Sequence, residues 1–366
     1  MLDVWARQFQ VSARNPLALL AHVGEDCAGA VQFVREERLD EVLASGSKPA
    51  EITWLNEAEL EQRIRHLARD ASAARESVAE GQFSLSGAQA KTALHFDRLR
   101  KRWGIPQGRA PTTHILKPAS GEHEGFAENE HFCLALAARI GLAAARTEWL
   151  SIGGIPTLVA ERYDRVQLDG RWHRVHQEDC CQALGVHPAS KYENEGGPGF
   201  ARIMTLLEST DEPPSDRDRL MKSVCLIYLL AATDAHAKNF SLLHGPGSLR
   251  PGMRLAPVYD IASAWPYPRR NPLQKMKFAM QIGRHYRFKE IQLRHFEELA
   301  RACQYPADLL VATLQQLAER LPDESAGLLK EIEVKGMVRA VLARLHDRLA
   351  TQCKVTRKLI AQRGAC

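Results

Sequence analysis

The 366-residue chain has no long apolar run. Its most hydrophobic stretches, such as 132–138 and 224–232, are about ten residues or fewer, against the roughly 20 that a membrane-spanning helix needs. The first ten residues, MLDVWARQFQ, hold no apolar signal core ahead of a small-residue cleavage site. There is no internal repeat and no low-complexity tract, which excludes solenoids and tandem arrays. None of the eight cysteines falls in a C-x-x-C pair, and adjacent Cys180 and Cys181 suit neither a zinc knuckle nor an ordinary disulfide. Excess charge is small too. With 49 basic and 44 acidic residues the net charge is +5, which permits an anionic partner without demanding nucleic acid. Apolar residues at 45% and charged residues at 25% are ordinary for a packed protein and exclude disorder for the bulk of the chain. These absences predict a protein of the reducing cytoplasm, with no membrane segment and with thiols acting as small hydrophobes.

What is present is periodic. Over 56–79, Leu60, Ile64, Leu67, Ala71, Ala74 and Val78 recur at alternating spacings of four and three, which is one helix face. Asn56 with Glu59 three residues on forms an N-terminal cap, and Pro16 stands where a helix over 15–23 would have its first residue. The segment 83–91 (FSLSGAQAK) reads as a strand-like start with a glycine break, 112–117 and 157–163 read as strands, and 128–140 reads as an amphipathic helix stopped by Gly141. Beyond about 165 helices prevail: a buried one over 220–232, and apolar spacing over 291–302, 308–321 and 336–362. Between them lie an irregular Gly/Pro loop over 185–199 and a short strand over 254–260 that ends in an acid. A mostly helical start, a strand-rich part and a large helical part predict an α+β fold of two lobes, a mixed one over 1–163 and a helical one over 164–366.

The chemistry concentrates where the buried run ends. Asp234, His236, Lys238 and Asn239 follow it within six residues, and Asp260 closes LAPVYD 21 residues after Asn239. Phosphoryl transfer uses one carboxylate to orient or deprotonate a hydroxyl, and an amide oxygen plus a second carboxylate to hold Mg²⁺ against nucleotide phosphates. Asp-x₄-Asn is the spacing of the protein-kinase catalytic loop, with the metal-binding Asp later in the chain. The usual His-Arg ahead of the Asp is replaced by Ala232-Thr233, and the usual Asp-Phe-Gly by Asp260-Ile261-Ala262. Asp and Asn also cap helices and form turns, so the specific signal is the whole string with its flanks. Lys117 ends the strand THILK, 13 residues before Glu130, as in the strand-Lys and helix-Glu device of kinases; a surface lysine at a strand end is the alternative. The segment 84–91 offers a Gly-containing turn that is neither G-x₄-G-K-[ST] nor G-x-G-x-x-G, and an ordinary hairpin would read the same.

Nine landmarks stand in order: SGAQAKTAL (86–94), PTTHILK (111–117), ENEHFCLALAARIGL (128–142), VAERYDR (159–165), HQEDCCQALG (176–185), KYENEGGPG (191–199), ATDAHAKNFS (232–241), LAPVYDIASAWP (255–266) and KFAM (277–280). With them the chain resembles the HipA family of bacterial toxin kinases from about residue 14 to its C-terminal helices. The resemblance implies a serine/threonine protein kinase with a two-lobed, protein-kinase-like fold that uses ATP and Mg²⁺. It assigns Asp234 as the catalytic base and Asn239 and Asp260 as Mg²⁺ ligands. Lys117 and the loop of Ser86, Gly87, Ala88, Gln89, Ala90 and Lys91 would contact the ATP phosphates. Glu161, Arg162 and Tyr163 would form the hinge that holds adenine, with Asp164 near the ribose and with His236 and Lys238 in the catalytic loop beside ATP.

The resemblance also implies autophosphorylation at Ser84 or Ser86, where nearly two negative charges would repel the ATP phosphates or be captured by basic residues. Its implied partners are a helix-turn-helix antitoxin of HipB type and a protein substrate, which in known relatives is an aminoacyl-tRNA synthetase. DNA would be reached only through the antitoxin complex. The basic stretch 98–102 and the pair Arg269-Arg270 would then touch phosphates, or else form a solvated basic face. Full-length members begin with a further small subdomain, which this chain is expected to lack: either a separate small protein supplies it, or the kinase works without it, or the gene has lost it. Two other readings remain: a silent kinase-fold module that binds an antitoxin and assists repression on DNA, and a small-molecule kinase, whose usual H-x-D ahead of the Asn is absent here.

Overall fold

The computed structural model describes residues 6–7, 9–12, 14–45, 51–69, 83–84, 89–119, 124–245, 252–333, 337 and 339–363. The chain divides into two compact units. One holds Met1–Ala127, Arg146–Gln177 and Pro246–Leu249; the other holds Glu128–Ala145, Glu178–Gly245 and Arg250–Cys366.

The first unit runs through α1 (Pro16–Val23), β1 (Asp26–Cys27), α2 (Glu36–Ser45), β2 (Ile52–Trp54), α3 (Glu57–Arg69), β3 (Phe83–Ser84), β4 (Thr92–Asp97), β5 (Arg102–Pro106) and β6 (His114–Pro118), then β7 (Thr147–Ile152), β8 (Ile155–Glu161), β9 (Arg165–Leu168) and β10 (Arg171–Arg174). Six strands form one antiparallel sheet in the order β2-β5-β4-β6-β8-β7. Leu60 and Ile64 of α3 pack on it against Leu94, Ile105, Leu116 and Val159. Both expected helix starts form. Asn56 Oδ1 accepts from Glu59 N at 2.9 Å while Asn56 N donates to Glu59 Oε2 at 2.8 Å, a complete capping box. Asn15 accepts from Ala18 N ahead of Pro16. Leu60, Ile64 and Leu67 are buried as the periodicity requires, whereas Ala71, Ala74 and Val78 lie outside the described residues. The expected mostly helical start also contains β1 and β2.

A buried charge network joins β1 to the segment after β8. Asp26 accepts from Arg165 and Arg174 at 2.9 Å each, from Arg162 at 3.3 Å and from the Thr112 hydroxyl. Asp164 accepts from Arg162 Nη2, Arg165 Nη1 and the Gly29 N–H, each at 2.8 Å. Arg162 and Arg165 also donate to the Cys27 carbonyl. Burial alone would raise both carboxyls. The guanidiniums overcome it, holding Asp26 below its ordinary value and Asp164 down at about 2. Asp164 is 4% exposed with its oxygens filled by donors of its own unit, and Arg162, 3% exposed, donates inside the fold.

The second unit contains α4 (Phe126–Arg139, entered from the first unit), β11 (His176–Asp179), at which the chain passes over from the first unit, and α5 (Cys180–Ala183). It continues with α6 (Phe200–Leu206), α7 (Pro213–Leu230), β12 (Ser241–His244), β13 (Met253–Leu255), β14 (Lys277–Ile282), β15 (His285–Arg287), α8 (Leu293–Ala302), α9 (Ala307–Glu333) and α10 (Arg339–Arg363). Helix α7 is the axis: every residue of 220–232 except Lys222 is buried, and α8, α9 and α10 complete the helical packing. The strand expected over 254–260 is confined to β13, which pairs with β12, and beyond it Val258 bridges Ala144. Seven of the eight cysteines are described, all as free thiols and six of them buried. Among the described residues no helix is long and apolar enough to cross a membrane.

Removing one carboxylate from the buried network would strand a guanidinium, which costs about 3–5 kcal/mol. Asp164→Asn should therefore lower the stability measured by denaturant unfolding by about that amount. Because the Asp164 carboxyl is held at about 2, below the ordinary value near 4, its contribution is complete above about pH 4 and is lost as pH falls through about 2. The acid limb of the wild-type stability curve should flatten in the variant.

Candidate active site

Helix α7 ends in the interior, so its last carbonyls need partners. Ala231 adopts the left-handed conformation at φ +47°, and the Ala231 and Ala232 N–H groups donate back to Tyr228 O and Ile227 O, as in a Schellman cap. The later segment supplies the rest. Trp265 Nε1 donates to Leu229 O at 2.9 Å, Ser263 Oγ to Leu230 O at 2.6 Å, and Ala264 N to Ala231 O at 3.1 Å. Asn129 of α4 fixes Ser263 on both sides, its Oδ1 accepting from Ser263 N and its Nδ2 donating to Ser263 O. This docking brings the chain around Asp260 back to the chain around Asp234.

Asn239 closes the site. Its Nδ2 donates to the main-chain carbonyls of Asp234 at 3.1 Å and of Asp260 at 3.4 Å. Carbonyls only accept, so the nitrogen must face them and Oδ1 is turned to the other side. Asn239 is buried, while Asp234 and Asp260 are exposed; the frame is internal and the carboxylates reach out. Asp260 sits at φ +57°, a conformation that Asp tolerates better than most residues but that still carries strain. The Asn239 amide oxygen and the Asp260 carboxylate, held on one frame, are hard-oxygen donors suited to a divalent cation such as Mg²⁺.

The remaining loop residues are tied down. Lys238 is ion-paired with Asp179, whose other oxygen caps α5 by accepting from Gln182 N at 3.0 Å. Tyr259 donates to the Lys238 carbonyl at 2.6 Å. His236 is buried, and burial lowers its pKa. Its Nδ1 has no hydrogen-bond partner among the described residues. Two residues that the sequence reading did not single out enter here. Asp179 holds Lys238, and the Tyr192 hydroxyl donates to Asp234 Oδ1 at 2.9 Å. Tyr192 belongs to the irregular loop 185–199, where no periodicity marks a contact; only its place among four glycines and two prolines sets it apart.

In the first unit, Lys117 is buried on β6, opposite Leu158 of β8. Glu161 forms an ion pair with Arg98 at 2.7 Å. Ser84 lies on β3, in parallel register with Cys27. Ser86, Gly87 and Ala88 lie outside the described residues, and Gln89, Ala90 and Lys91 lead into β4.

The family model of the HipA-like C-terminal domain matches residues 83–325, and that of the HipA N-terminal domain matches residues 1–34. A protein of Sinorhizobium fredii named "Putative kinase Y4mE" is 35% identical over 97% of this chain and 82% of its own length. The serine/threonine-protein kinase toxin HipA of Shewanella oneidensis is 26% identical over 89% of this chain and 73% of its own. Among solved structures, the Shewanella oneidensis complex of HipA, HipB and operator DNA matches with a TM-score of 0.81 at 25% identity, covering 99% of this chain and 83% of the solved one. The chain belongs to the HipA family, and its α+β fold is kinase-like.

Proposed function

We propose that the chain is an ATP- and Mg²⁺-dependent serine/threonine protein kinase that acts as the toxin of a toxin–antitoxin pair in the bacterial cytoplasm. The observation that carries the reading is the Asn239 side chain bonded at once to the backbones of Asp234 and Asp260, because phosphoryl transfer needs a base and a cation site held in fixed relation. Asp234 accepts the proton of the acceptor hydroxyl. Asn239 Oδ1 and the Asp260 carboxylate hold the Mg²⁺, which when bound neutralises charge on the phosphates. Lys117 and the loop from Ser86 to Lys91 bind the phosphates, and the backbone of 161–163 holds the adenine. Lys238, paired with Asp179, positions the loop rather than touching ATP.

The HipB–DNA complex of the Shewanella oneidensis relative supports a helix-turn-helix antitoxin as the partner, with DNA met through it. Ser84 or Ser86 is the autophosphorylation site, and the external substrate is a protein serine.

Incubation with γ-labelled ATP and Mg²⁺ should label the wild-type chain, with phosphate mapping to Ser84 or Ser86. Asp234→Asn should reduce the initial rate by at least about a hundredfold and relieve growth arrest on expression; undiminished labelling would exclude Asp234 as base. Asn239→Leu should weaken Mg²⁺-ATP binding in calorimetry by about tenfold or more, since it removes both the cation ligand and the tie between the two aspartates.

A further inference from the structure

A hydroxyl already stands on the Asp234 carboxylate, and the chain supplies it. Tyr192 donates to Oδ1 at 2.9 Å, which fixes that oxygen in place while Oδ2 keeps its acceptor sites. Burial and the Asp234 charge push the Tyr192 phenol up to about 12, so it stays protonated and donates throughout the physiological range.

The loop that carries Tyr192 is built to stay in place. The Gly197 N–H donates to Tyr192 O at 2.9 Å, and Ala237 N donates to Lys191 O at 3.4 Å, which joins the loop to the segment after Asp234. Glu193 Oε2 accepts from Gln281 N of β14 at 2.6 Å, and β14 is joined to the same segment by Ala279 N donating to Thr233 O at 3.0 Å. A Cβ at Gly197 would lie 2.3 Å from Ser190 O and 2.7 Å from Tyr192 O; only glycine lets the backbone pack so closely there. The Tyr192 ring stands edge-on to His236 with centroids 5.3 Å apart. A side chain moored by its loop, its ring and its hydroxyl is a fixed support, not a cover waiting to leave.

We infer that Tyr192 is a positioning residue for phosphate transfer: it holds Oδ1 of Asp234 so that the second oxygen is presented to the acceptor hydroxyl. The inference rests on Asp234 being the base.

The test compares wild type, Tyr192→Phe and Asp234→Asn as full chains, reading the initial rate of γ-phosphate transfer from Mg²⁺-ATP to the chain itself and to water, the KM for ATP, and the melting temperature. Loss of one hydrogen bond to a carboxylate should lower kcat of Tyr192→Phe by about tenfold to a hundredfold, with KM for ATP and melting temperature unchanged, because the ring and its packing remain. An unchanged kcat would overturn the inference. So would a raised kcat, which would make the hydroxyl an obstruction, or phosphate found on Tyr192 by mass spectrometry, which would make it an acceptor. A fall in kcat matched by a fall in melting temperature would reduce Tyr192 to a structural role and equally overturn it. If Asp234→Asn keeps wild-type activity, or the wild-type chain transfers no phosphate, the reading of the base itself fails. If Asp234→Asn is inactive and Tyr192→Phe is not impaired, only the positioning role fails.

Discussion

A helix that stops inside a core leaves carbonyls that water cannot reach, and the site follows from how α7 resolves this. Ala231 turns left-handed and closes the Tyr228 and Ile227 carbonyls; Ser263, Ala264 and Trp265 close the next three. Each unpaired buried carbonyl would cost about 1–3 kcal/mol, so the docking of 263–265 is obligatory rather than incidental. Once it is in place the chain on either side is committed. Asp234 lies three residues past Ala231, Asp260 lies three residues before Ser263, and a single buried amide from Asn239 spans their backbones. The proposed chemistry thus rests on a hydrogen-bond requirement of the helix terminus.

The same requirement explains which landmarks lie far apart in sequence yet serve one frame. Asn129 of α4, 134 positions from Ser263, holds both sides of the Ser263 peptide. Gln281 and Ala279 of β14 tether Glu193 and Thr233. In each case a side chain or strand end satisfies backbone that no regular element covers. Strain at Ala231 and Asp260 is tolerated because the surrounding bonds over-determine it.

Much of this was legible in the chain. The Asn56–Glu59 box, Pro16 at a helix start, the buried run before Asp234 and the Asp-x₄-Asn spacing are local signals, each written within a few residues. Strands β4 and β5, which the sequence reading does not separate within its strand-rich part, have no such signal. β4 is buried along most of its length, so it shows no alternation, and β5 carries a glycine and ends in a proline. Nor could the long-range partners of Arg162 and Asp164 be read, because Asp26 on β1 and Gly29 sit about 135 positions away. Tyr192 was hidden for a further reason: its loop follows neither the helical nor the strand period, and a tyrosine there looks like any half-buried aromatic until the carboxylate it bonds is located.

Arginine shows how burial, not residue type, decides a role. Arg162 and Arg165 are buried, and three guanidiniums with Arg174 face two carboxylates. None of them can leave without stranding charge in a medium that cannot solvate it. At the tip between β4 and β5 the pattern is outwardly similar: Arg98 pairs with Glu161, Arg100 and Arg102 with Asp97, and Arg102 lies 3.7 Å over Trp54. Here, however, the Arg98 and Arg100 side chains are 61% and 68% exposed, and such pairs contribute about 0–1 kcal/mol each. They are cheap to break. The buried set holds β1 and the segment after β8 as one body, while the exposed set keeps its charges available, and with a net charge of only +5 that availability is local to the hairpin rather than a property of the whole surface.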